Sequence, residues 1–504
     1  MPSFSISPPT KRLLFAAVLF FGLLAMTARS ATDPDLWWHL RTGQLIVESG
    51  HVPHTDPFSF TRLGAPWVSH EWLSEIVLYE LWTRIGPGAL IVFSSIVTTA
   101  GFLILYWRCH GSPHWAAALT VLGALASAPS WGARPQMFTF GFASLLLWLL
   151  EQAESRPPLL LFIPPLFLVW LNLHAGFALG PALMFLYALG LIFECLAGTT
   201  PWQECRATVG RVLAITLACM ALVPLNPSGV QLYRYPLDTL RSSGMRAYIV
   251  EWFSPDFHHW IYGPLLLIIL LVLIALAYSR RRVRGRVLLP LLFTAAAALD
   301  AVRHIPIFVL LAIPVIASAF ALSSSQEPLS QPRSTLARIT KIKTRPSLYV
   351  AAALLAFFAI VRWIDLARGQ EAHEASQFPK KAVDFLRTSH EPDRLFAHYA
   401  WGGYAIWRLG FEYHVFADGR ADLYGDGILR QAMETIALLR PEWPQTLDHW
   451  NVRTILVPPN SALGQALLLD PHWTAAYRDT QAVVFIRVAP DEELRNPLVS
   501  SQIP

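Results

Sequence analysis

Lys11-Arg-Leu-Leu-Phe-Ala-Ala-Val-Leu-Phe-Phe-Gly-Leu-Leu-Ala-Met26 is followed closely by Thr32-Asp-Pro-Asp-Leu-Trp-Trp-His-Leu-Arg-Thr-Gly43. Two basic residues stand before an apolar run, and two carboxylates stand just after it. That order describes a chain that enters lipid from the cytoplasmic side and leaves it just ahead of Asp33. The same run, ending in Ala-Arg-Ser-Ala, also has the form of a cleaved signal peptide. A retained first helix is the preferred reading, and the rest of the topology is the same for either.

Working outward, apolar runs of the length needed to cross a bilayer (about 20 residues) recur along the chain. They fall near 12–30, 87–107, 114–130, 135–152, 158–174, 177–198, 211–225, 260–279, 286–301, 304–322 and 347–364. Only 14% of residues are charged, against roughly 25% in a soluble domain. The expected fold class is therefore an α-helical polytopic membrane protein with about eleven transmembrane helices. Lys11, Arg12, Arg108, Arg156, Arg206, Arg211 and the run Arg280-Arg-Arg282, Arg284, Arg286 lie in alternate loops. The loop 323–346, rich in Ser and Pro and expected to be flexible, adds Arg333, Arg338, Lys341, Lys343 and Arg345. These basic loops fix the N-terminus as cytoplasmic. An odd number of helices then places the C-terminus outside. Residues 1–366 read as the membrane domain, with its outer loop at 31–86, and 367–504 as a small soluble α/β domain in the periplasm. There, 394–399, 415–418, 452–457 and 482–488 read as strands and 429–438 as a helix.

The net charge of +5 is explained by this loop bias, and nucleic acid is excluded as a partner. Four cysteines, Cys109, Cys195, Cys205 and Cys219, lie away from the long outer segments. A disulfide framework is not expected.

Chemistry-bearing residues gather on the outer side. Asp33 and Asp35 can take a proton from a hydroxyl or hold a divalent cation such as Mg or Mn. The plain alternative is that they cap an interfacial helix beginning at Trp37. His39 and Arg41 follow on the same segment, and Asp56, His70 and Glu71 lie further along it. Arg134-Pro-Gln136, Asn172-Leu-His-Ala-Gly176, Tyr233-Arg-Tyr-Pro236, Glu251-Trp-Phe-Ser-Pro-Asp256 and the group Asp300, Arg303, His304 face the same way under this topology. Ionisable residues at membrane depth are costly and line cavities or bind ligands. Arg134, His174, Arg234, Arg303 and His304 together suit a phosphate or pyrophosphate headgroup, with a lipid tail among the helices below.

Asp35-Leu-Trp-Trp-His-Leu-Arg-Thr42 resembles a loop of the GT-C fold glycosyltransferases, integral-membrane enzymes that use polyprenyl-phosphate-linked sugars. The local likeness is to oligosaccharyltransferase catalytic subunits, whose first outer loop reads Asp-Pro-Trp-Phe-Asn-Tyr-Arg-Thr. Val47-Glu-Ser-Gly50 and Asp56 echo the same loop. Over the whole chain the likeness is to bacterial GT-C enzymes of unassigned acceptor. The resemblance implies a retained first helix, Asp35 as the catalytic or metal-binding carboxylate and Asp56 as a second acidic position. It departs at the Trp-Trp-Asp-Tyr-Gly motif that reads acceptor peptides, since Tyr399-Ala-Trp-Gly-Gly-Tyr404 has no Asp. Phe416-Ala-Asp-Gly-Arg-Ala-Asp-Leu-Tyr-Gly425 is the candidate acceptor-facing loop, or else a strand-to-helix turn closed by an Asp–Arg pair.

The expectation is an inverting hexosyl or pentosyl transferase of the bacterial inner membrane. Asp35 or Asp33 serves as base, and Arg41, Arg134, His174, Arg234, Arg303 and His304 receive the donor phosphate. The acceptor is a glycan, lipid or protein of the envelope. A flippase for lipid-linked sugars would carry inverted repeats and polar groups at the midplane, which the sequence does not display. A non-catalytic envelope scaffold leaves the Asp-Pro-Asp-Leu-Trp-Trp-His loop without a purpose.

Overall fold

Each of the eleven apolar runs falls on a helix in the computed structural model, which describes residues 8–278, 283–324, 345–391 and 393–488. Most of the basic loop 323–346, and Arg280, Arg281 and Arg282, lie outside the described residues. The chain divides into two compact units. One, the helical unit, comprises Met1–Ser30, Gly86–Val230 and Glu251–Arg368. The other, the polar unit, comprises Ala31–Ile85, Gln231–Val250 and Gly369–Pro504. The first outer loop, expected with the membrane helices, thus packs with the C-terminal segment, and so do residues 231–250.

Among the described residues, Pro87–Arg108, Ala175–Leu196, Trp202–Leu225, Trp260–Tyr278, Val302–Ala319 and Ser347–Gln377 are long and apolar enough to cross a membrane. Arg12–Thr27 and Pro157–Leu173 are shorter apolar helices. Pro87 and Pro113 open helices at their first turn, where a missing N–H costs nothing. Charges at the helix ends are matched. Arg108 meets Glu151 at 2.8 Å and donates to the Leu310 carbonyl at 2.7 Å. Arg286 meets Glu194 at 2.6 Å and Glu154 at 3.3 Å.

Cys195 and Cys205, not expected to pair, form a disulfide. They close the turn between Leu179–Leu196 and Trp202–Leu222, where the helical hairpin brings their Cα atoms to 6.4 Å. Cys109 and Cys219 are free and buried.

The polar unit holds four strands: β1 (Leu395–Ala397), β2 (Thr454–Val457), β3 (Trp473–Arg478) and β4 (Val483–Arg487). Their order is β1-β2-β4-β3, with β1 parallel to β2 and the other pairs antiparallel. The stretch 415–418, expected as a strand, makes only isolated bridges from Val415 to Ser59 and Leu395. The loop after the first helix supplies the reason. Val415 N–H donates to the Phe58 carbonyl at 3.0 Å, and Phe60 N–H donates to the Val415 carbonyl at 3.1 Å. The loop takes the place a sheet neighbour would have.

Helix Leu36–Ser49 lies on helix Trp72–Arg84 and ends in the left-handed Gly50. Gly43 sets their separation, because a Cβ there would collide with the Glu75 carbonyl and the Tyr79 side chain. Backbone cannot swing aside as a flexible side chain can. Gly43→Ala is expected to destabilise the protein by about 1–3 kcal/mol, read as a lower melting temperature in detergent. An unchanged melting temperature refutes this close approach.

Candidate functional site

The two carboxylates after the first helix have separate tasks. Asp33 Oδ1 accepts the Asp35 N–H at 2.9 Å, and its carbonyl accepts the Leu36 N–H at 3.2 Å. Asp33 therefore shapes the turn. Asp35 stands at the N-cap of Leu36–Ser49, yet its side chain makes no capping bond. Its carboxylate lies instead against Gly419. A Cβ at 419 would overlap Asp35 Oδ1 and approach Trp38 Nε1 to 3.0 Å.

The segment around Gly419 is held by a buried ion cluster. Arg420 is 1% exposed. Its Nη1 donates to Asp56 Oδ1 at 2.8 Å and its Nη2 to Asp418 Oδ2 at 2.7 Å. Tyr424 donates its hydroxyl to Asp418 at 2.5 Å. The guanidinium also lies 4.7 Å from the Trp67 ring centre and 5.1 Å from that of Phe58. Burial opposes the Asp418 charge, but Arg420 outweighs it and holds the carboxyl below its ordinary range.

Asp56, expected as a second acidic or metal position, is wholly engaged here. Besides Arg420 it accepts the N–H groups of Phe58 and Ser59 and the Ser59 hydroxyl. With a guanidinium and three other donors on its two oxygens, it does not fit a cation. Among the described residues no group of three or more His, Cys, Asp or Glu is placed to hold a metal.

His39, His70 and Glu71 form a second buried row. Glu71 meets His70 Nε2 at 2.9 Å and His39 Nε2 at 3.6 Å, while His39 Nδ1 lies 3.6 Å from Glu75. Burial disfavours the His70 cation. The charges of Glu71 and Asp422 outweigh it and lift His70 to about 9. Burial lifts Glu75 above the usual carboxylate range, against the pull of His39.

Close by is a cavity of about 760 Å³, walled by Arg62, Trp67, Arg234, Tyr235, Asp238, Arg241, Ala421, Asp422 and Asp426 among others. This volume suits a small-molecule ligand. No carboxylate among the described residues lies at ion-pair distance from Arg62, Arg234 or Arg241. Among the described residues Arg62 donates to the Tyr424 carbonyl, at 3.4 Å, and its buried Nε has no hydrogen-bond partner. Asp426 accepts from the hydroxyls of Ser242 and Ser243, both at 2.6 Å, which pull its carboxyl down to about 2. Asp35 does not line the wall, but Gly419 beside it is two residues from Ala421, which does.

The six expected phosphate-binding residues do not assemble within either unit. Arg41 and Arg234 belong to the polar unit, and Arg134, His174, Arg303 and His304 to the helical unit. Arg41 lies over the Phe411 ring at 4.4 Å and donates to Gln44 at 2.8 Å. Arg134 is ion-paired with Glu251. Burial opposes the Glu251 charge, but Arg134 and Arg303 outweigh it and keep the carboxyl below its ordinary value. Arg303 lies over Trp252 at 4.6 Å, and His304 Nδ1 stands 3.2 Å from the Ala297 carbonyl. His174 Nδ1 accepts the Gly176 N–H at 3.0 Å. It also accepts the Thr139 hydroxyl at 2.6 Å, while Thr139 in turn accepts from Trp170 Nε1. Those partners assign the proton of His174 to Nε2 and leave the ring neutral. Expected within a cationic, aromatic-lined pocket, this cluster also holds an acid, Glu251.

No family model matches the chain, and no curated protein matches it. Among solved structures, the archaeal oligosaccharyltransferase AglB from Archaeoglobus fulgidus, in complex with an inhibitory peptide and a dolichol-phosphate, superposes at a TM-score of 0.59. Identity is 12%, covering 90% of this chain and 70% of that one. The chain has the GT-C fold. The same archaeal enzyme, tethered to an acceptor peptide containing the NVT sequon, gives a TM-score of 0.56 at 12% identity, over 95% of this chain and 74% of that one. ArnT from Cupriavidus metallidurans bound to undecaprenyl phosphate gives 0.47 at 16% identity, over 96% and 99%. The GT-C likeness matches the expectation drawn from Asp35-Leu-Trp-Trp-His-Leu-Arg-Thr42 and from the order of the helices.

Removing Arg420 leaves two buried carboxylates facing each other. Arg420→Ala is expected to cost about 3–5 kcal/mol, visible as a collapse of the melting temperature. Full stability in that variant refutes the cluster as a structural tie. The His70 row gives a pH dependence. Its value in the folded state, about 9, lies above the ordinary 6.5. The stability it contributes is complete below 6.5 and lost as pH rises through 9. The melting temperature should fall across that window, and His70→Gln should flatten the fall.

Proposed function

We propose that the protein transfers a sugar from a polyprenyl-phosphate donor to an acceptor of the cell envelope, on the outer face of a bacterial inner membrane. The observation that carries this reading is Asp35. Its carboxylate makes no capping bond and is set against Gly419, two residues from the wall of a cavity lined by Arg62, Arg234 and Arg241. The GT-C fold supports the reading, and so does the resemblance of residues 35–42.

The chemistry follows from what stands in the polar unit. A half-buried carboxylate is a suitable base for an acceptor hydroxyl. The leaving phosphate needs positive charge as its bond to the sugar breaks. Arg234, with Arg62 and Arg241, offers guanidinium forks that match phosphate oxygens. Attack by the hydroxyl opposite the leaving phosphate inverts the anomeric centre, and the proton passes to Asp35. Once paired with cations, the polyprenyl phosphate leaves without a second carboxylic acid. The apolar helices suit its long tail. Asp33 keeps the turn that aims Asp35.

Transfer from a panel of radiolabelled polyprenyl-phosphate sugars to total envelope acceptors tests this. Asp35→Asn is expected to lower kcat by about 10²–10⁴-fold with the melting temperature retained. Asp33→Asn should do less, through the turn. Wild-type transfer by a folded Asp35→Asn protein, or no transfer by wild type from any donor, sinks the reading.

A further inference from the structure

The acids around the arginine cavity are not equivalent. Asp238 is exposed on helix Tyr235–Arg241, Asp426 is taken up by two serine hydroxyls, and Asp418 and Asp56 are bound to Arg420. Asp422 differs. It stands on the first turn of helix Ala421–Ala437 and lines the cavity. The Tyr235 hydroxyl donates to it, and His70 stands near it as a charge partner. The His70 ring lies 4.2 Å from that of Tyr235.

The charge on His70 follows from its contacts alone. Nδ1 faces the Val68 carbonyl at 3.1 Å and Nε2 faces Glu71 at 2.9 Å. Both neighbours are acceptors, so both nitrogens must donate, and the ring is an imidazolium. Glu71 is itself placed between His70 and His39. The structure therefore sets a fixed cation behind one particular carboxylate of the wall. Burial lifts Asp422 above its usual value, and His70 opposes the lift.

A pocket meant for a bare phosphate would keep its guanidiniums and leave this acid out, since an ionised carboxylate repels phosphate oxygens. The same carboxylate accepts hydrogen bonds from hydroxyls. Arginines and Asp422 in one cavity therefore fit a ligand with both an anionic group and hydroxyl donors.

We propose that Asp422 is a specificity-determining residue of this cavity, accepting hydrogen bonds from hydroxyls of the sugar whose phosphate lies on Arg62, Arg234 and Arg241, and that His70 is its positioning residue. The inference rests on the glycosyl phosphate reading given above.

Binding to the full-length protein in detergent is the test, with a set of hexose 1-phosphates and with methyl phosphate, which has similar charge and no hydroxyls. Wild type should bind at least one hexose 1-phosphate about 10–100-fold more tightly than methyl phosphate, the range of a hydrogen bond to a charged group. Asp422→Asn should bring that ratio close to one while methyl phosphate binds as well as before or better. His70→Gln should lower the same ratio, and Arg234→Ala should weaken both ligands together. A wild-type ratio near one overturns the inference and needs no variant to fold. So does an unchanged ratio in Asp422→Asn, or an equal weakening of both ligands there. If the ratios behave as expected but no sugar is transferred, the site stands and the transferase reading falls. If transfer proceeds and Asp422→Asn keeps the wild-type ratio, only the role of Asp422 falls.

Discussion

A guanidinium with no access to water must find its counter-charges inside the protein, and Arg420 finds them in two places far apart in sequence. Asp418 lies two residues before it, and Asp56 comes from the loop after the first helix. Stripping one arginine and two carboxylates of water is expensive, and only a fully bonded arrangement recovers the cost. Asp56 is fully bonded: Ser59, Phe58 and Arg420 all donate to it. The loop after the first helix and the Phe416–Gly425 stretch can therefore neither slide nor separate without exposing buried charge. The backbone bonds between Phe58, Phe60 and Val415 follow the same register.

Everything proposed for the site is hung on that tie. Gly419 sits between Asp418 and Arg420 and leaves room for the Asp35 carboxylate and the Trp38 indole, which any larger residue would displace. Ala421 and Asp422 continue directly into the cavity wall. The two readings of Asp-Gly-Arg-Ala-Asp in the sequence were an acceptor loop or a turn closed by an Asp–Arg pair. The pair is present at Asp418 and Arg420, and the neighbouring Asp422 is the residue that faces open space.

The apolar runs were legible because bilayer-length hydrophobicity is a local property, and all eleven fall on helices. The Asp35 loop was legible because it resembles a known one. Pairings over long sequence separations were not. Asp56 looked like a free acid in Pro53-His-Thr-Asp-Pro, and its partner stands 364 residues away. The carboxylate that holds the turn and the one set against Gly419 could not be told apart from composition, since Asp33 and Asp35 share residue type and differ only in their contacts. Strand β3, Trp473–Arg478, is mostly exposed and lacks the alternation that marks a half-buried strand. Cys195 and Cys205 are brought together by a helical hairpin whose close packing the sequence does not announce.

Several arginines of this chain are matched by acids. Arg108 has Glu151, Arg286 has Glu194, Arg134 has Glu251 and Arg408 has Asp384. Arg420 has two acids. Arg62 and the more exposed Arg234 and Arg241 share one cavity with Asp238, Asp422 and Asp426, and no acid lies at ion-pair distance from these arginines among the described residues. An anionic ligand would find guanidinium donors there that no carboxylate among the described residues engages at ion-pair distance. Asp422 then adds what a phosphate alone cannot explain, an acceptor for hydroxyls, so the balance of charge in the cavity favours a sugar phosphate over a simple anion.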